Sequence, residues 1–346
     1  MDPSTIVEPQ PQPPASTVYS TPTGTAIAQA VAQHWPALGP VEGCRLLRRG
    51  FNDVYAVQFK AGGQRVARLS ARRARGPANV DYEAGLLSHL QRAGASVAAS
   101  LRTCAGASAG ELAAPEGMRT LMLFDFLPGE PPGDVLADIE ATGRDLARIH
   151  VASQHYSGPP SLYALALPHL LDQPLRWLLA APTLDAGLRA DFTAIGERLR
   201  ARIDGLARLP EGACHGDAHA GNMHLADDPA GGRVASFFDF DDAGPGCLAY
   251  DLATWLWSLL LRAGPAGPDA AALERWRRFL HGYQSVREID AQEFDAIARF
   301  VPVRHTWFMG EYASRMAEWG TQTMPSSWLR KQVDQMIAWE SLQTPA

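Results

Sequence analysis

The sequence predicts an α+β fold made of two lobes, a small lobe built on an antiparallel sheet followed by a mainly helical lobe. Three observations support this prediction. Residues 43–127 contain short apolar runs typical of strands, and residues 128–133 form a break rich in proline and glycine. After the break, apolar residues recur with helical spacing. We therefore expect an N-terminal lobe at residues 24–128 and a C-terminal lobe at residues 129–346.

The composition fits a globular protein large enough to hold an enzyme site. The chain has 346 residues, of which 46% are hydrophobic, enough for one large or two medium cores. Its net charge of -6 provides no basic field that would attract nucleic acid or an anionic membrane. The longest apolar stretch, residues 252–261, is half of the roughly 20 residues needed to cross a bilayer as a helix. We expect neither nucleic acid nor a membrane as a partner.

The cysteines and the start of the chain indicate a cytoplasmic protein. The four cysteines are scattered, without a Cys-x-x-Cys pair or the spacing of a disulfide framework. The chain begins Met1-Asp2-Pro3-Ser4 and has no early Lys or Arg, so it lacks the pattern of a secretion signal. Residues 1–23 are rich in proline and poor in aliphatic side chains, which predicts a disordered tail.

In the first lobe the apolar runs predict strands at residues 54–59, 64–69 and 120–126. Gly62-Gly63 lies between the first two runs and predicts an antiparallel hairpin, because both glycines readily adopt positive φ. A helical segment is predicted at residues 80–90. These elements give a small antiparallel sheet with a helix packed on it.

In the second lobe one feature interrupts the helical pattern. A long helix is predicted from the apolar residues Leu188, Phe192, Ile195, Leu199 and Ile203, which recur at spacings of three and four. The interruption consists of two short apolar runs, residues 222–226 and 233–238, on either side of a turn at 227–232. This pattern predicts a small hairpin within a helical lobe.

The densest cluster of polar residues surrounds this hairpin. It reads His215-Gly216-Asp217-Ala218-His219-Ala220-Gly221-Asn222 before the hairpin and Phe238-Asp239-Phe240-Asp241-Asp242 after it. Phosphoryl transfer needs a carboxylate to orient or deprotonate the attacking hydroxyl, and oxygen ligands that hold magnesium on the phosphates. Both kinds of group are present in the cluster, which indicates a phosphotransferase.

These residues resemble the aminoglycoside phosphotransferase and choline kinase family. The catalytic loop of that family reads His-Gly-Asp with an Asn five positions after the Asp, as Asp217 and Asn222 stand here. The second motif and Tyr250-Asp251-Leu252-Ala253 resemble the family's metal-binding strand and following helix, in particular its homoserine-kinase-like and stress-response-kinase-like branch. The resemblance covers about 300 residues, from near Gly43 to the C-terminal helices. It implies a protein-kinase-like two-lobed fold and an ATP-dependent transferase.

The resemblance also implies roles for single residues of the second lobe. Asp217 corresponds to the catalytic base, and Asn222 and Asp239 correspond to magnesium ligands. Asp251 corresponds to a buried organiser of the catalytic loop, which His215 is expected to brace. The implied cofactor is Mg²⁺, with ATP as co-substrate.

In the first lobe the resemblance places the nucleotide. Arg68 stands where a kinase-like strand supplies the cation for the α- and β-phosphates, a position that is Lys in many relatives, and Glu83 is its implied ion-pair partner. Phe124 and Phe126 lie on the strand that resembles the hinge, whose backbone would bind the adenine edge. Asn52 belongs to a turn with a single glycine, which either caps the phosphates through its backbone amides or is an ordinary hairpin.

The acceptor is not determined by the motifs. His219, Asp242, Trp307 and Glu311 are candidates for its pocket, and the two acidic residues could attract a cationic compound. An amino alcohol, an amino sugar or another small hydroxyl compound fits, and a Ser or Thr side chain of a protein is the alternative. Two further hypotheses are a pseudokinase, which the full set of catalytic groups argues against, and a metal-dependent hydrolase. The hydrolase would use His215, Asp217, His219 and His224 as metal ligands.

Overall fold

The computed structural model describes residues 16–229, 231–263 and 267–345. Most of the predicted disordered tail, residues 1–15, lies outside the described residues. The end of that tail is bonded to the small lobe. The Ser20 hydroxyl donates to Glu116 over 2.7 Å, and the Tyr55 hydroxyl donates to the Pro22 carbonyl over 2.7 Å. The end of the predicted tail, at Ser20 and Pro22, therefore contacts the first lobe.

The first lobe is built on an antiparallel sheet, as predicted. Its strands are β1 (Val41–Arg49), β2 (Asn52–Phe59), β3 (Gln64–Ser70), β4 (Ser100–Leu101), β5 (Gly110–Ala114) and β6 (Gly117–Asp125). They lie in the order β1-β2-β3-β6-β4, with β5 also pairing to β6. The predicted hairpin joins β2 to β3, and Gly62 and Gly63 in its turn have φ of 86° and 88°.

Two helices pack on this sheet. Helix α1 (Gly24–His34) is capped by Thr23 and buries Ile27 and Val31 against the strands, forming a small core of its own. Helix α2 (Val80–Arg92) covers the predicted helical segment and lies near the second lobe. Its Glu83 is buried, so a carboxylate is brought to the boundary between the lobes.

The second lobe is mainly helical. Its helices are α3 (Leu136–Ser153), α4 (Gln173–Ala180), α5 (Ala186–Asp204), α6 (Leu248–Ala263), α7 (Ala270–Gln284), α8 (Ala291–Ser314), α9 (Met316–Trp319) and α10 (Ser326–Glu340). The predicted apolar face lies on α5, which buries Leu188, Phe192, Ile195 and Leu199 and packs Ile203 at its edge. Throughout the described ranges, every helix is too short or too polar to cross a bilayer.

A pair of antiparallel strands and a short hairpin interrupt the helices and frame the polar cluster. Strand β7 (Glu211–Cys214) pairs with β10 (Gly244–Cys247), and β8 (Met223–Asp227) pairs with β9 (Arg233–Phe237). The prediction of a hairpin here is confirmed, with the first strand starting one residue later than expected. Because β7 leads into β8 and β9 leads into β10, the loops at 215–222 and 238–243 lie side by side.

Candidate active site

Asp251 fixes the start of the loop at residues 215–222 through hydrogen bonds to its backbone. It lies at the start of α6, is fully buried, and accepts hydrogen bonds from the backbone amides of His215 over 2.7 Å and Gly216 over 2.9 Å. His150 on α3 bonds the same carboxylate over 3.0 Å and is itself bonded to the Tyr283 hydroxyl over 2.8 Å. Burial alone would raise the pKa of Asp251, but the hydrogen bond and charge of His150 lower it.

His215 joins the two loops to each other. Its Nδ1 accepts from the backbone amide of Asp217 over 3.2 Å, which leaves the ring proton on Nε2 to donate to the Phe238 carbonyl over 3.0 Å. Gly216 has a φ of 82°, and a side chain there would collide with the backbone carbonyl of Asp242. The hydrogen bond from His215 and the close packing at Gly216 therefore fix the loop at 215–222 against the loop at 238–243.

Asp217 and Asn222 meet within the first loop. The Asn222 side-chain amide donates to the Asp217 carbonyl over 3.0 Å and to Asp217 Oδ2 over 3.1 Å. Within the described part of the chain, Asn222 Oδ1 accepts no hydrogen bond, so this oxygen is available to a cation. His219 lies at the edge of the site, with Nε2 3.5 Å from Asp217 Oδ2 and its side chain 31% exposed.

Arg304 is the partner of Asp217 that the sequence did not indicate. It lies on α8, 87 positions later, and donates through Nη2 to Asp217 Oδ1. Its guanidinium is held between two indole rings, 4.8 Å from the centroid of Trp257 and 4.4 Å from that of Trp307. Burial would raise the pKa of Asp217, but Arg304 and then His219 hold it well below its usual range. Asp217 is therefore ionised.

Asp239 faces the first lobe from the second loop. It is the non-glycine residue with positive φ in the described chain, at 65°, and its Oδ1 lies 3.1 Å from Nη1 of Arg68. Burial and the neighbouring carboxylates of Asp241, Asp242 and Asp217 raise the pKa of Asp239, while Arg68 opposes this. A carboxylate in this position is stabilised by an additional cation.

Arg68 and Glu83 form a buried ion pair. Nη1 of Arg68 donates to Glu83 Oε1 over 2.8 Å and Nη2 donates to Oε2, so the guanidinium is held through two donors. The Phe124 ring lies 5.0 Å from the Arg68 Cζ atom. Burial raises the pKa of Glu83 to about 7, although Arg68 opposes it. The pair fixes a cation beside Asp239.

A cavity of about 260 Å³ opens between the two lobes next to this cation. Apolar side chains from both lobes line it, together with the charged groups of Arg68 and Asp239. The remaining lining residues are Leu47, Arg48, Val54, Val66, Ala98, Phe124, Asp125, Phe126, Leu127, Gly221, His224 and Phe238. Phe124 and Phe126, which the sequence analysis placed on the strand that would bind the adenine edge, are both among the lining residues.

Two of the expected site residues are engaged elsewhere. The Asn52 side chain does not line the cavity, because its Nδ2 donates to Asp241 over 2.9 Å and its Oδ1 accepts from a backbone amide. Asp242 does not offer a free carboxylate to a cationic acceptor, because its Oδ1 is bound by both Arg73 and Arg75. Both arginines come from the segment between β3 and α2, which sequence reasoning did not connect with the site.

The remaining acceptor candidates lie under the surface. Trp307 is buried, and the face of its ring packs against Arg304 instead of forming an exposed wall of an acceptor pocket. Glu311 is 2% exposed, and burial raises its pKa to about 7 although Arg75 opposes this. Trp307 therefore packs against the guanidinium of Arg304, and the carboxyl group of Glu311 interacts with the charge of Arg75.

The donor chemistry fits magnesium rather than a histidine-bound metal. Asn222 Oδ1 and Asp239 are hard oxygen donors on adjacent loops, and Mg²⁺ is commonly held by one or two protein oxygens together with substrate phosphates. His215 and His224 bond the carbonyls of Phe238 and Leu127 over 3.0 and 3.1 Å. In the described residues, no three side chains of His, Cys, Asp or Glu are grouped to hold a metal. This arrangement argues against the hydrolase hypothesis.

Comparison with known proteins identifies relatives over most of the chain. Residues 43–289 match the family model of the phosphotransferase enzyme family. An uncharacterized protein of Deinococcus radiodurans is 36% identical over 326 residues, which cover 93% of this chain and 92% of the relative. A homoserine kinase of Brucella ovis is 31% identical over 246 residues, which cover 68% of each chain.

Solved structures share the fold at lower identity. A microcompartment-associated aminopropanol kinase superposes with a TM-score of 0.71 at 22% identity, covering 92% of this chain and 98% of the kinase. An amicoumacin kinase in complex with AMP-PNP and Ca²⁺ superposes with a TM-score of 0.68 at 19% identity, covering 90% and 92%. At these identities the likeness establishes the two-lobed fold.

Proposed function

The chain belongs to the phosphotransferase enzyme family, and on this basis we propose that it transfers the γ-phosphate of ATP, with Mg²⁺, to a hydroxyl group of a small molecule. The observation that carries the proposal is the position of Asp217, Asn222 and Asp239. Two adjacent loops, joined through His215, carry these three residues, and Asp239 lines the cavity between the lobes together with Arg68.

The donor nucleotide is assigned to this cavity. Its apolar walls at Val54, Val66 and Phe124 suit the faces of a purine ring, and Arg68, which also lines it, is the cation assigned to the phosphates. Arg68 can contact phosphate oxygens as a planar, permanently charged donor. Mg²⁺, held by Asn222 and Asp239, would neutralise charge on the phosphates and keep them in line for transfer.

Asp217 is assigned to the acceptor hydroxyl. Because Arg304 keeps its pKa low, Asp217 is a weak proton acceptor, better suited to orienting the hydroxyl than to removing its proton early. Phosphoryl transfer through a loose transition state asks little of a base until the new bond forms. Positioning and charge stabilisation therefore carry most of the rate enhancement.

The acceptor class is proposed from the relatives. Homoserine and aminopropanol, named for a sequence relative and a structural neighbour, are both small molecules that carry an amino group and a hydroxyl. We assign this chain an acceptor of that kind, an amino alcohol or amino sugar. A Ser or Thr side chain of a protein would use the same chemistry.

The test is ATP and GTP turnover by the purified protein against a panel of hydroxyl compounds. The panel contains homoserine, aminopropanol, ethanolamine, choline and an amino sugar, each with and without Mg²⁺, and casein as a protein acceptor. The proposal expects ADP release that needs Mg²⁺ and rises with at least one small acceptor. Phosphorylation of casein without stimulation by any small compound would instead support a protein kinase.

Replacing Arg68 tests the donor side. We expect Arg68→Met to lower kcat/KM for ATP by about 10- to 100-fold, because charge-assisted hydrogen bonds contribute about 1.5–3 kcal/mol. Arg68→Lys should recover part of this loss, since a lysine keeps the charge but not the two-donor fork. Steady-state kinetics at varied ATP measures the effect.

The matched control for this test is Arg45→Met, which removes an exposed arginine from β1 of the same sheet. It should leave kcat/KM for ATP near the wild-type value. An Arg68→Met enzyme with unchanged kcat/KM would show that the cation at this position does not bind the donor.

A further inference from the structure

The loop between β1 and β2 reaches across to the second lobe. At its tip, the Phe51 ring packs edge-on against Tyr312 at the end of α8 and Trp319 at the end of α9, with centroid distances of 5.3 and 5.0 Å. The Arg315 guanidinium, between those two residues in sequence, lies 4.8 Å from the Phe51 centroid. Phe51 thus contacts three side chains of the second lobe.

The same loop borders the cavity assigned to the nucleotide. Arg48 on β1 and Val54 on β2, the strands that the loop joins, both line the cavity, whereas Phe51 in the loop does not. The next residue, Asn52, bonds Asp241 on the loop that carries Asp239. The loop and the start of β2 are therefore held at two points of the second lobe, next to the strands that line the cavity.

The helix that Phe51 contacts also holds the proposed base. Helix α8 carries Arg304, which binds Asp217, about two helical turns before Tyr312. Tyr312 itself packs on Trp319 at 5.1 Å and on Phe308 at 4.8 Å, so the contact is part of a continuous aromatic cluster. A shift of the loop tip would thus be transmitted to the helix that positions Asp217.

We propose that Phe51 is a positioning residue through which nucleotide binding and the α8–α9 region of the second lobe stabilise each other. The inference rests on the proposed function, since it takes the cavity as the nucleotide site. Closure of the loop over the phosphates places Phe51 against both Tyr312 and Trp319, and the contact with these two rings favours the closed loop. The coupling acts in both directions by the same factor, as linkage requires.

The consequence is that a residue outside the cavity controls nucleotide affinity. An aromatic pair contributes about 0.5–1.5 kcal/mol and Phe51 makes two such pairs, so Phe51→Ala should weaken nucleotide binding about tenfold. Trp319→Ala, on the other lobe, should weaken it about threefold to tenfold through loss of one pair. Phe51→Trp and Phe51→Leu should retain more affinity than Phe51→Ala.

The test is a double-mutant cycle on nucleotide binding. The dissociation constant of AMP-PNP with Mg²⁺ is measured by calorimetry for the wild type, Phe51→Ala, Trp319→Ala and the double variant. We expect the double variant to bind no more weakly than Phe51→Ala, because Trp319 acts only through Phe51. Independent, multiplying effects of the two substitutions would overturn the inference, and so would unchanged binding in Phe51→Ala.

A control variant and a replacement variant separate a specific effect of Phe51 on nucleotide binding from a general effect on the fold. Leu46→Ala removes an exposed side chain from β1 outside the cavity and should bind AMP-PNP as the wild type does. Should Phe51→Ala fail to fold by circular dichroism, Phe51→Leu takes its place in the cycle. A wild-type protein that binds no nucleotide would defeat the proposed function, whereas normal wild-type binding with independent substitutions would defeat this inference alone.

Discussion

Replacing Asp217 by Asn is expected to lower kcat for phosphate transfer by about 10²- to 10⁴-fold, the usual contribution of a general base or orienting carboxylate. The substitution keeps the size of the side chain and removes the charge that would hold the acceptor hydroxyl. Asp217 does not line the cavity, so AMP-PNP binding should stay near the wild-type value. Initial rates at saturating ATP and acceptor, together with calorimetry, measure both quantities.

The control is Asp295→Asn, which neutralises an exposed carboxylate on α8, the helix that carries Arg304. Its kcat should match that of the wild type. A large fall in nucleotide affinity in Asp217→Asn, with kcat unchanged, would move Asp217 from the acceptor to the donor side. Wild-type kcat and affinity together would remove it from the mechanism.

Replacing Asp251 by Ala is expected to lower the free energy of unfolding by about 3–5 kcal/mol, the cost of breaking a buried charged network by removing one partner. His150 and the amides of His215 and Gly216 would lose their acceptor in a site without solvent. Because these amides position the loop with Asp217, kcat should fall as well. Urea unfolding followed by circular dichroism and tryptophan fluorescence measures the change in stability.

The loss should depend on pH in a defined direction. The pKa of Asp251 is lower in the folded protein than in the unfolded chain, where the pKa of an aspartate is about 3.9. The stabilisation is therefore fully present above about pH 4 to 5 and is lost as the pH falls further. Wild type and Asp251→Ala should differ most at neutral pH and converge in acid.

Asp334→Ala is the matched control for stability, since it removes an exposed carboxylate from α10. Its free energy of unfolding should lie close to that of the wild type at every pH. A difference between wild type and Asp251→Ala that grows in acid would contradict the assignment of Asp251 as an ionised acceptor.

The predictable features are those that local spacing determines. Gly62-Gly63 between two apolar runs specified a hairpin, and the order of the two polar motifs around a second hairpin placed Asp217 and Asp239 on neighbouring loops. The α5 helix face followed from its three- and four-residue spacing. Each of these depends on residues that are close in sequence.

The features that were missed depend on contacts between distant segments. Arg304 reaches Asp217 over 87 positions, and the packing of α8 against other helices of the second lobe, chiefly α6 and α4, brings it there. Arg73 and Arg75 lie in an irregular segment of the first lobe, so nothing in the sequence pairs them with Asp241 and Asp242. The local signal for Arg304 was a charged residue directly after the apolar run at residues 300–303, since a buried arginine needs a partner.

The hydrogen-bond partner of the Asn52 side chain was likewise not predictable from the sequence. Its place in the turn was expected, but whether it faced the phosphates or a protein group depended on where the second lobe lay. The structure bonds it to Asp241. The polar turn thus joins the lobes through its side chains, and its backbone amides remain the groups that could meet phosphate.

The fate of the transferred phosphate provides the most direct test of the proposed reaction. Protein, Mg²⁺ and ATP radiolabelled in the γ-phosphate are incubated with the best acceptor of the panel, and the products are separated from ATP by chromatography. We predict that the label moves to the small acceptor, in equal amount to the ADP formed, and that Asp217→Asn abolishes this transfer. Label recovered as free phosphate, or as phosphorylated protein with the small acceptor unlabelled, would contradict a small-molecule phosphotransferase.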